Sequence, residues 1–236
     1  MDGIEHLLQL AIEDNIAWCS VICAAHGSDE IVSSAAWANL NSSPQFYPNI
    51  ITRAPGLQTE VCKLIERVGA RKPLKNWGIK DSFCDLALTD CGFEPILNGS
   101  WFGGTLTQGP TPPDNDWKKV VSADELLLWE IAWGGDPEKR VFRESLLSDQ
   151  RIEFWYMRLN ETIEAGFISF HSRRSVGLSN WFSLTDQSAV LMAATEILGR
   201  RFPGLPVVFW SSEDDLEYEK APVFRLAPLQ VWLSKR

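Results

Sequence analysis

Three side chains near the start of the chain are of types that bind metal ions. Cys19 and Cys23 lie four residues apart on a predicted helix, and His26 follows about one turn later. Thiolate sulfur and imidazole nitrogen are common zinc ligands. However, the chain has only three histidines, and no second Cys or His pair completes a four-ligand site. We therefore interpret the two cysteines as core residues of an apolar helix face and predict no metal ion.

Two further groups carry charged or titratable side chains. Arg173 and Arg174 lie in a predicted turn and could meet a phosphate or an acidic substrate, but adjacent charges in a turn are typical of a solvated surface. His171 precedes them at the end of a predicted strand, where the sequence indicates no partner for it. We interpret the arginines as a solvated turn and assign His171 no role.

The composition indicates a soluble, globular protein that does not bind nucleic acid. The 236 residues include 31 acidic and 22 basic side chains, which gives a net charge of −9, and 45% of the residues are apolar. This length allows one large domain or two small ones. Proteins that bind nucleic-acid backbones carry clustered Lys and Arg. No such cluster occurs in the sequence, so we expect no nucleic-acid partner.

The cysteines and the N-terminal segment predict a cytoplasmic protein. All five cysteines lie in the first 91 residues, and an odd number without a secretion signal is typical of reduced, buried thiols. The N-terminal segment lacks a basic start and carries acids among its apolar residues, unlike a signal peptide or an anchor. No segment approaches the ~18 continuous apolar residues that span a bilayer. We therefore expect no membrane partner.

One segment predicts where the chain divides. Residues 103–119, GGTLTQGPTPPDNDWKK, combine Gly, Pro, Thr and Asp with little that is apolar. Such a segment cannot hold a packed element. We predict an N-terminal domain over 1–105, a linker over 106–118 and a C-terminal domain over 119–236.

The C-terminal domain has a clear order of predicted elements. Ser122 and Glu125 form a capping box at the start of one helix, and later segments alternate between strand-type and helical periodicity. The predicted order is β-α-α-β-β-β-α-β-α-β-β, with the last element a strand or a strand pair. The elements are predicted at 120–121, 123–133, 142–147, 152–159, 165–170, 176–182, 186–203, 206–210, 212–220 and 223–233.

This order resembles that of the GNAT acyltransferases, whose α/β fold is a mixed central sheet flanked by helices. The segment EYEKAPVF, residues 217–224, is similar to the Tyr-Glu-Lys…Gly-Phe signature of that family, although Pro222 and Val223 replace the Gly and one extra residue precedes Phe224. The resemblance covers about residues 118–234. It implies that the protein binds acetyl-CoA and acylates an amine.

The first half resembles the back half of the same fold. It has predicted strands at 49–52 and 77–80, a helix at 57–68, a short helix through Asp85 and Leu88, and the segment CGFEPILNGSWF at its end. Phe93 precedes Trp101 by the same spacing as Phe224 precedes Trp232. This weak repeat suggests two GNAT-like lobes, the first incomplete. A chance similarity of two amphipathic strands explains it equally well.

The resemblance implies a place for the donor on the central strand, 176–182, which in the family splays from its neighbour and pairs with the pantetheine arm. Gly177 would permit close backbone approach, and Leu178, Ser179 and Asn180 would offer amides and carbonyls to the arm and the thioester oxygen. An ordinary central strand is the alternative interpretation.

The family holds the diphosphate of CoA on a Gly-rich turn at the start of the next helix. This chain has Leu-Thr-Asp-Gln-Ser-Ala-Val at 184–190, without Gly or Arg. Asp186 would repel a phosphate as readily as it caps the helix. Ser183, Thr185 and Ser188 can still donate hydrogen bonds. This departure from the family pattern speaks against ordinary use of acetyl-CoA.

The resemblance implies Tyr218 as the general acid, because it matches the Tyr of the family signature. An exposed helix tyrosine is the alternative. Glu164 and Glu130 are the carboxylates that could serve as the base, although such groups are more often solvated.

Four of the eleven tryptophans are candidate walls of one cleft. Trp129 and Trp133 form a stripe on the helix expected beside the acceptor, and Trp181 and Trp210 fall at the ends of the two strands expected to splay. A stripe of this kind is also typical of a core. A cleft with such walls favours an apolar or aromatic amine.

The sequence therefore predicts a GNAT-like N-acyltransferase that moves an acetyl or related group from CoA to a small amine. A GNAT-fold protein that binds a ligand or partner without catalysis is the alternative, favoured by the missing Gly-rich turn. A different α/β protein remains open at this point.

Overall fold

The computed structural model describes residues 3–70, 77–105, 117–212 and 223–235. Its helices are α1 (Gly3–Ala25), α2 (Gln58–Gly69), α3 (Ala123–Ala132) and α4 (Gln187–Arg201), with 3₁₀ helices at Thr89–Cys91 and Glu144–Ser148. Its strands are β1 (Glu30–Val32), β2 (Ala36–Asn39), β3 (Ile50–Thr52), β4 (Gly78–Asp81), β5 (Phe93–Thr105), β6 (Trp117–Lys119), β7 (Ile152–Leu159), β8 (Thr162–His171), β9 (Val176–Ser183), β10 (Pro206–Ser212) and β11 (Phe224–Ser234).

The described strands form one mixed sheet in the order β1-β2-β3-β4-β11-β5-β10-β9-β8-β7-β6. β5, from the first half of the chain, lies antiparallel between β10 and β11. β11, from the second half, lies antiparallel between β4 and β5. Each half therefore completes its part of the sheet with a strand from the other half. The α/β class, with a mixed sheet flanked by helices, is confirmed.

The repeated Phe and Trp spacing falls on the two exchanged strands. Phe93, at the start of β5, pairs with Ser234 at the end of β11, and Phe224, at the start of β11, pairs with Gly103 near the end of β5. The two strands are thus antiparallel neighbours along nearly their whole length. The repeat marks the pair that joins the two halves of the sheet.

The helices pack on the two faces of this sheet. Trp101 and Phe102 are neighbours on β5 and point to opposite faces. Trp101 belongs to the core formed with α1 and α3, whereas Phe102 belongs to the core formed with α4. A third cluster joins α2 to β2, β3 and β4. The site described below opens in the sheet itself, between β9 and β10.

Helix α1 packs against β5, β9, β10 and β11. By length and composition it is the one helix in the described part of the chain that could cross a membrane, with a mean hydropathy of 1.3. Half of the stretch is buried inside the protein, and a core helix of a soluble protein gives the same signal. Its contacts with these strands account for its apolar character.

Several element boundaries differ from the sequence predictions. The opening strand of the second half is Trp117–Lys119 rather than 120–121, and one further bond, from Val120 N to Phe154 O, extends it. The short helices predicted at 142–147 and near Asp85 are the two 3₁₀ helices, displaced toward the C-terminus. Strands β1 (three residues) and β2 (four residues) were not predicted from the sequence.

Two predicted segments fall mainly outside the described residues. They are most of the linker over 106–118 and nearly all of the helix over 212–220. Within the linker, Trp117 and Lys118 already belong to β6. Ser212, at the other segment, ends β10.

Candidate functional site

The parallel strands β9 and β10 part after a short contact. They pair only at Val176 with Val207 and at Gly177 with Val208. Beyond these residues β10 continues alongside β5 as far as Ser212, while β9 continues alongside β8. The sheet therefore opens between β9 and β10 at their C-terminal ends. Ligands bind at such ends in many open α/β sheets.

A bulge on β9 bends the strand at this opening. Ser179 pairs with Ile168 and Phe182 pairs with Gly166, so two residues of β9, Asn180 and Trp181, lie opposite one residue of β8. Asn180 adopts φ = 50°, a left-handed conformation that Asn accepts more readily than other residues with a side chain. Bulges next to active sites commonly re-aim backbone and side-chain groups.

A cavity of about 620 Å³ opens at the same place. Its walls come from α1, the segment 42–49, β4, β5, β9, β10, β11 and Gln187, the first residue of α4. Both halves of the chain therefore contribute to it. Leu178, Ser179 and Asn180, the residues predicted to bind the donor arm, line it, as do Trp181 and Trp210.

The four predicted tryptophans divide into two pairs. Trp181 and Trp210 are half-buried and line the cavity. Trp129, by contrast, is fully buried in the core, and its indole N–H donates to Trp155 O over 2.8 Å. Trp133 stacks on Trp129 and meets Phe46, a cavity residue, edge to face at 5.6 Å. The α3 stripe is thus core, and the cleft wall predicted for Trp129 is corrected to a core position.

Two aromatic residues that the sequence did not single out complete the apolar wall. Trp18 on α1 lines the cavity and packs against Tyr47 at 6.5 Å between ring centres. The Tyr47 hydroxyl donates to Oδ1 of Asn180 over 3.4 Å, which brings the first half of the chain onto the bulge. Burial raises the pKa of Tyr47 well above its ordinary value, so its hydroxyl stays protonated at neutral pH.

Lys80 lies in the cavity wall and is buried, with 3% of its surface exposed. Its Nζ donates to Oδ1 of Asn15 over 2.8 Å and lies 4.1 Å from the ring centre of Trp210. Burial lowers the pKa of Lys80 to about 8. The only sequence signal for this residue is a single lysine at the end of a predicted strand.

Asp14, a buried carboxyl group on α1, lies behind the cavity. It accepts a hydrogen bond from Ser175 Oγ at 2.9 Å and sits where a side chain on Gly177 would project. Burial raises the pKa of Asp14 to about 8. The missing side chain of Gly177 therefore makes room for this carboxyl group, whereas the sequence prediction reserved that room for a donor molecule.

The start of α4 is capped by the chain itself. Oδ1 of Asp186 accepts hydrogen bonds from the backbone N–H groups of Ser188 and Ala189 and from Ser188 Oγ. Ser183 Oγ accepts from the backbone N–H of Thr185 and lies 3.3 Å from the Thr185 hydroxyl. Ser183, Thr185 and Ser188, the residues predicted to bind the diphosphate, are thus engaged in local turn and cap bonds.

The predicted acid and base lie away from the cavity or outside the described residues. Tyr218 falls outside them. Glu164 is half-buried near the start of β8 and does not line the cavity. Glu130 is buried, pairs with Arg140 at 2.5 Å and accepts from the backbone N–H of Val141. The Glu130 carboxylate therefore holds the segment after α3 in place.

The N-terminal cysteines are structural. Burial raises the pKa of Cys19 to about 11 and that of Cys23 to about 12, so both stay thiols. The ring of His26 lies 2.8 Å from Val141 O instead of joining them. No group of three metal-ligating side chains occurs among the described residues. His171 stacks on Phe202, and Arg173 and Arg174 are exposed in their turn.

Comparisons with known proteins identify the fold. No protein-family model and no curated protein match the chain. A functionally unknown conserved protein from Staphylococcus epidermidis matches with a TM-score of 0.66 at 12% identity, over 89% of this chain and 94% of the other. A GCN5-related N-acetyltransferase from Kribbella flavida matches with a TM-score of 0.63 at 11% identity, over 94% and 95%. Another from Sphaerobacter thermophilus matches with a TM-score of 0.57 at 13% identity, over 85% and 76%.

These matches extend over both halves of the chain, and identities this low carry information about the fold alone. The same fold is indicated by the mixed sheet, by the parting of its parallel strands β9 and β10 and by the structural matches. The chain has the fold of the GCN5-related N-acetyltransferases, the GNAT fold, and both of its halves take part in it.

Proposed function

We propose that the chain is an N-acyltransferase that moves an acetyl or related acyl group from coenzyme A to a small amine. The observation that supports this best is the parting of β9 and β10 after two residue pairs, which opens the sheet into an aromatic-walled cavity. An extended molecule can enter such a gap and pair with the freed strand edge. The GNAT fold makes this gap the expected place of the donor arm.

The chain's part in such a transfer is to hold and polarise the donor and to supply a proton. When bound, an acyl thioester supplies an activated acyl carbon. Leu178, Ser179 and Asn180 are the residues whose backbone groups we propose bind the arm. The bulge at Asn180 turns backbone groups away from the β8 ladder, which suits them to polarise a carbonyl oxygen.

Tyr47 is a further candidate for the proton donor, beside Tyr218. Its hydroxyl lies at the bulge, 3.4 Å from Asn180 Oδ1, and its raised pKa keeps it protonated. A general acid must hold its proton until the leaving group needs it. The described cavity wall holds no carboxylate, so Glu164 as base remains a prediction from sequence alone.

The residues at the start of α4 do not fit a diphosphate. Asp186 places a carboxylate where the helix dipole would favour a phosphate, and it already occupies two of the free N–H groups. We therefore assign no favourable phosphate contact to the start of α4 in the wild-type chain, where the Asp186 charge would oppose a phosphate. This observation favours the alternative function, a GNAT-fold protein that binds a ligand without catalysis.

Titration calorimetry of the full chain with acetyl-CoA separates the two functions. We expect binding in wild type and its loss in Trp181→Arg, which puts a long charged side chain into the gap. Leu159→Arg is the matched control, because Leu159 is exposed at the far end of β7. No heat of binding at millimolar acetyl-CoA, with the chain folded, would sink the acyltransferase function and leave the binding protein.

A further inference from the structure

Lys80 is the one charged side chain in the cavity wall, counted over the described ranges. Its polar and aromatic contacts are neutral groups, the amide of Asn15 and the rings of Trp210 and Trp101. None of the ion pairs between described residues includes it. The described wall therefore carries one positive charge and no negative one.

A buried ammonium without a counter-charge is costly. Burying an ion costs several kcal/mol unless good partners replace its water. The Lys80 ammonium has three N–H donors, and the Asn15 amide accepts one of them. The Trp210 and Trp101 rings, 4.1 and 5.6 Å from Nζ, attract the charge but contribute only about 0.5–2 kcal/mol each. An anion bound in the cavity would remove much of the remaining cost, so the cavity has a built-in preference for anionic ligands.

The charge lies at the point where the strands part. Trp210 follows Val208, the last residue of β10 that pairs with β9, by two positions. Asn15 lies on α1 next to the residue whose carboxyl group approaches Gly177, the last paired residue of β9. The Asn15 and Trp210 contacts of Lys80 thus belong to the inner end of the opening.

We propose that the cavity binds a small molecule with one carboxylate and an apolar or aromatic body, and that Lys80 is the partner of the carboxylate. Trp18, Trp181 and Trp210 supply the apolar contacts. The volume of about 620 Å³ lies in the range of small-molecule sites. We infer that the bound molecule is the acyl acceptor, an α-amino acid with a large apolar or aromatic side chain. This part of the inference rests on the proposed function.

A carboxylate fits this site better than a phosphate. A phosphate monoester carries close to two negative charges at neutral pH, and the described wall offers one cation. Phosphate sites commonly combine several cations or a free helix N-terminus. The start of α4 is already capped by Asp186. One carboxylate, in contrast, matches one ammonium.

The proposed transfer is balanced for such an acceptor. The amino nitrogen forms an amide bond with the acyl carbon while the carbon–sulfur bond breaks. The proton that the amine loses is matched by one that the departing sulfur gains. The carboxylate takes no part in the reaction and serves to orient the amine.

A matched pair of probes tests the anion site without any acyl donor. We would titrate the full chain at pH 7, below the pKa of Lys80, with 3-phenylpropionate and with its neutral analogue 3-phenylpropionamide. We expect the carboxylate to bind at least tenfold more tightly than the amide. Lys80→Met, which keeps the length of the stem without the charge, should abolish that preference. Lys63→Met removes the same charge from an exposed position on α2 and should leave it intact.

The wild-type comparison decides the proposal even where Lys80→Met does not fold. Equal affinities of the two probes for wild type, or a preference that survives in folded Lys80→Met, would overturn it. The acetyl-CoA titration is independent of this result. Carboxylate binding without acetyl-CoA binding overturns the acyltransferase function but supports the anion site. Acetyl-CoA binding without a carboxylate preference supports the acyltransferase function and overturns the anion site.

The acceptor class is tested by product formation. With acetyl-CoA present, we expect mass spectrometry to detect acetylated L-phenylalanine or L-leucine, and at least tenfold less product from the corresponding amino acid amides. Equal yields from acids and amides would overturn the assignment of an amino acid acceptor.

Discussion

The carboxyl group of Asp14 occupies the space that a side chain on Gly177 would fill. The two residues lie on α1 and β9, far apart in sequence, and they meet at the last pair before β9 and β10 part. The absence of a side chain on Gly177 thus lets a buried carboxyl group approach the central strand. The contact ties the long N-terminal helix to the site.

A methyl group at residue 177 should therefore destabilise the protein. We expect Gly177→Ala to lower the free energy of unfolding by about 1–3 kcal/mol, because Asp14 must move within a packed core. Urea unfolding would measure it. Gly69→Ala is the control, because nothing lies near the added methyl group there.

A double-mutant cycle distinguishes this clash from general strain. Asp14→Ala combined with Gly177→Ala should cost less than the sum of the two single variants, since the carboxyl group that clashes is gone. Additive costs would show that the methyl group meets something other than Asp14.

The same carboxyl group should make stability depend on pH. Burial raises the pKa of Asp14 from 3.8 to about 8, so the folded state keeps a proton that the unfolded state releases above about pH 4. Stability from this group is present below about pH 4 and is lost as pH rises toward 8. We expect Asp14→Asn, compared with wild type, to gain stability progressively between pH 5 and pH 8, measured by urea unfolding.

Asp149 provides a control of opposite sign. Its hydrogen bonds with Arg151 lower the pKa of Asp149, so its ionised form stabilises the folded state. Asp149→Asn should lose stability relative to wild type above about pH 4 instead of gaining it. If Asp14→Asn and Asp149→Asn changed the stability in the same direction, burial would not be what sets the pKa of Asp14.

The long elements of the second half were predictable because each has a single clear period. The strands at 152–159 and 176–182 and the helix from 186 differ from the structure by only one or two residues. The exchange of β5 and β11 between the halves was not predictable. The residue pattern of a strand specifies which of its faces is buried, but it does not specify which strand lies beside it. Lys80 and Tyr47 escaped notice for the same reason, since only the exchanged sheet brings the first half onto the opening.

Two cysteines of the first half should form a disulfide under oxidation. The Sγ atoms of Cys62 and Cys91 lie 3.5 Å apart, and a bond requires about 2.05 Å, which a small shift of either side chain achieves. With diamide as the oxidant, the two thiols lose two hydrogen atoms and gain one sulfur–sulfur bond. Peptide mapping without a reductant should show Cys62 joined to Cys91.

The neighbouring cysteines make the result specific. Cys62→Ser should prevent the crosslink, while Cys84→Ser, at an exposed cysteine, should leave it unchanged. A crosslink that persists in Cys62→Ser would show that Cys91 reacts with a different partner.

Asp186 should weaken the binding of acetyl-CoA. Its carboxylate caps α4 and places a negative charge where the helix dipole favours a phosphate. Asp186→Asn keeps an oxygen that can cap the helix and removes the charge. A gain of about 0.7–1.4 kcal/mol, within the range for charges at a helix terminus, corresponds to roughly threefold to tenfold tighter binding.

Titration calorimetry measures this gain in affinity, with Glu144→Gln, at an exposed residue, as a control for net charge. Equal tightening in both variants would indicate a general effect of net charge, and unchanged affinity in Asp186→Asn would place the phosphates of the donor away from α4.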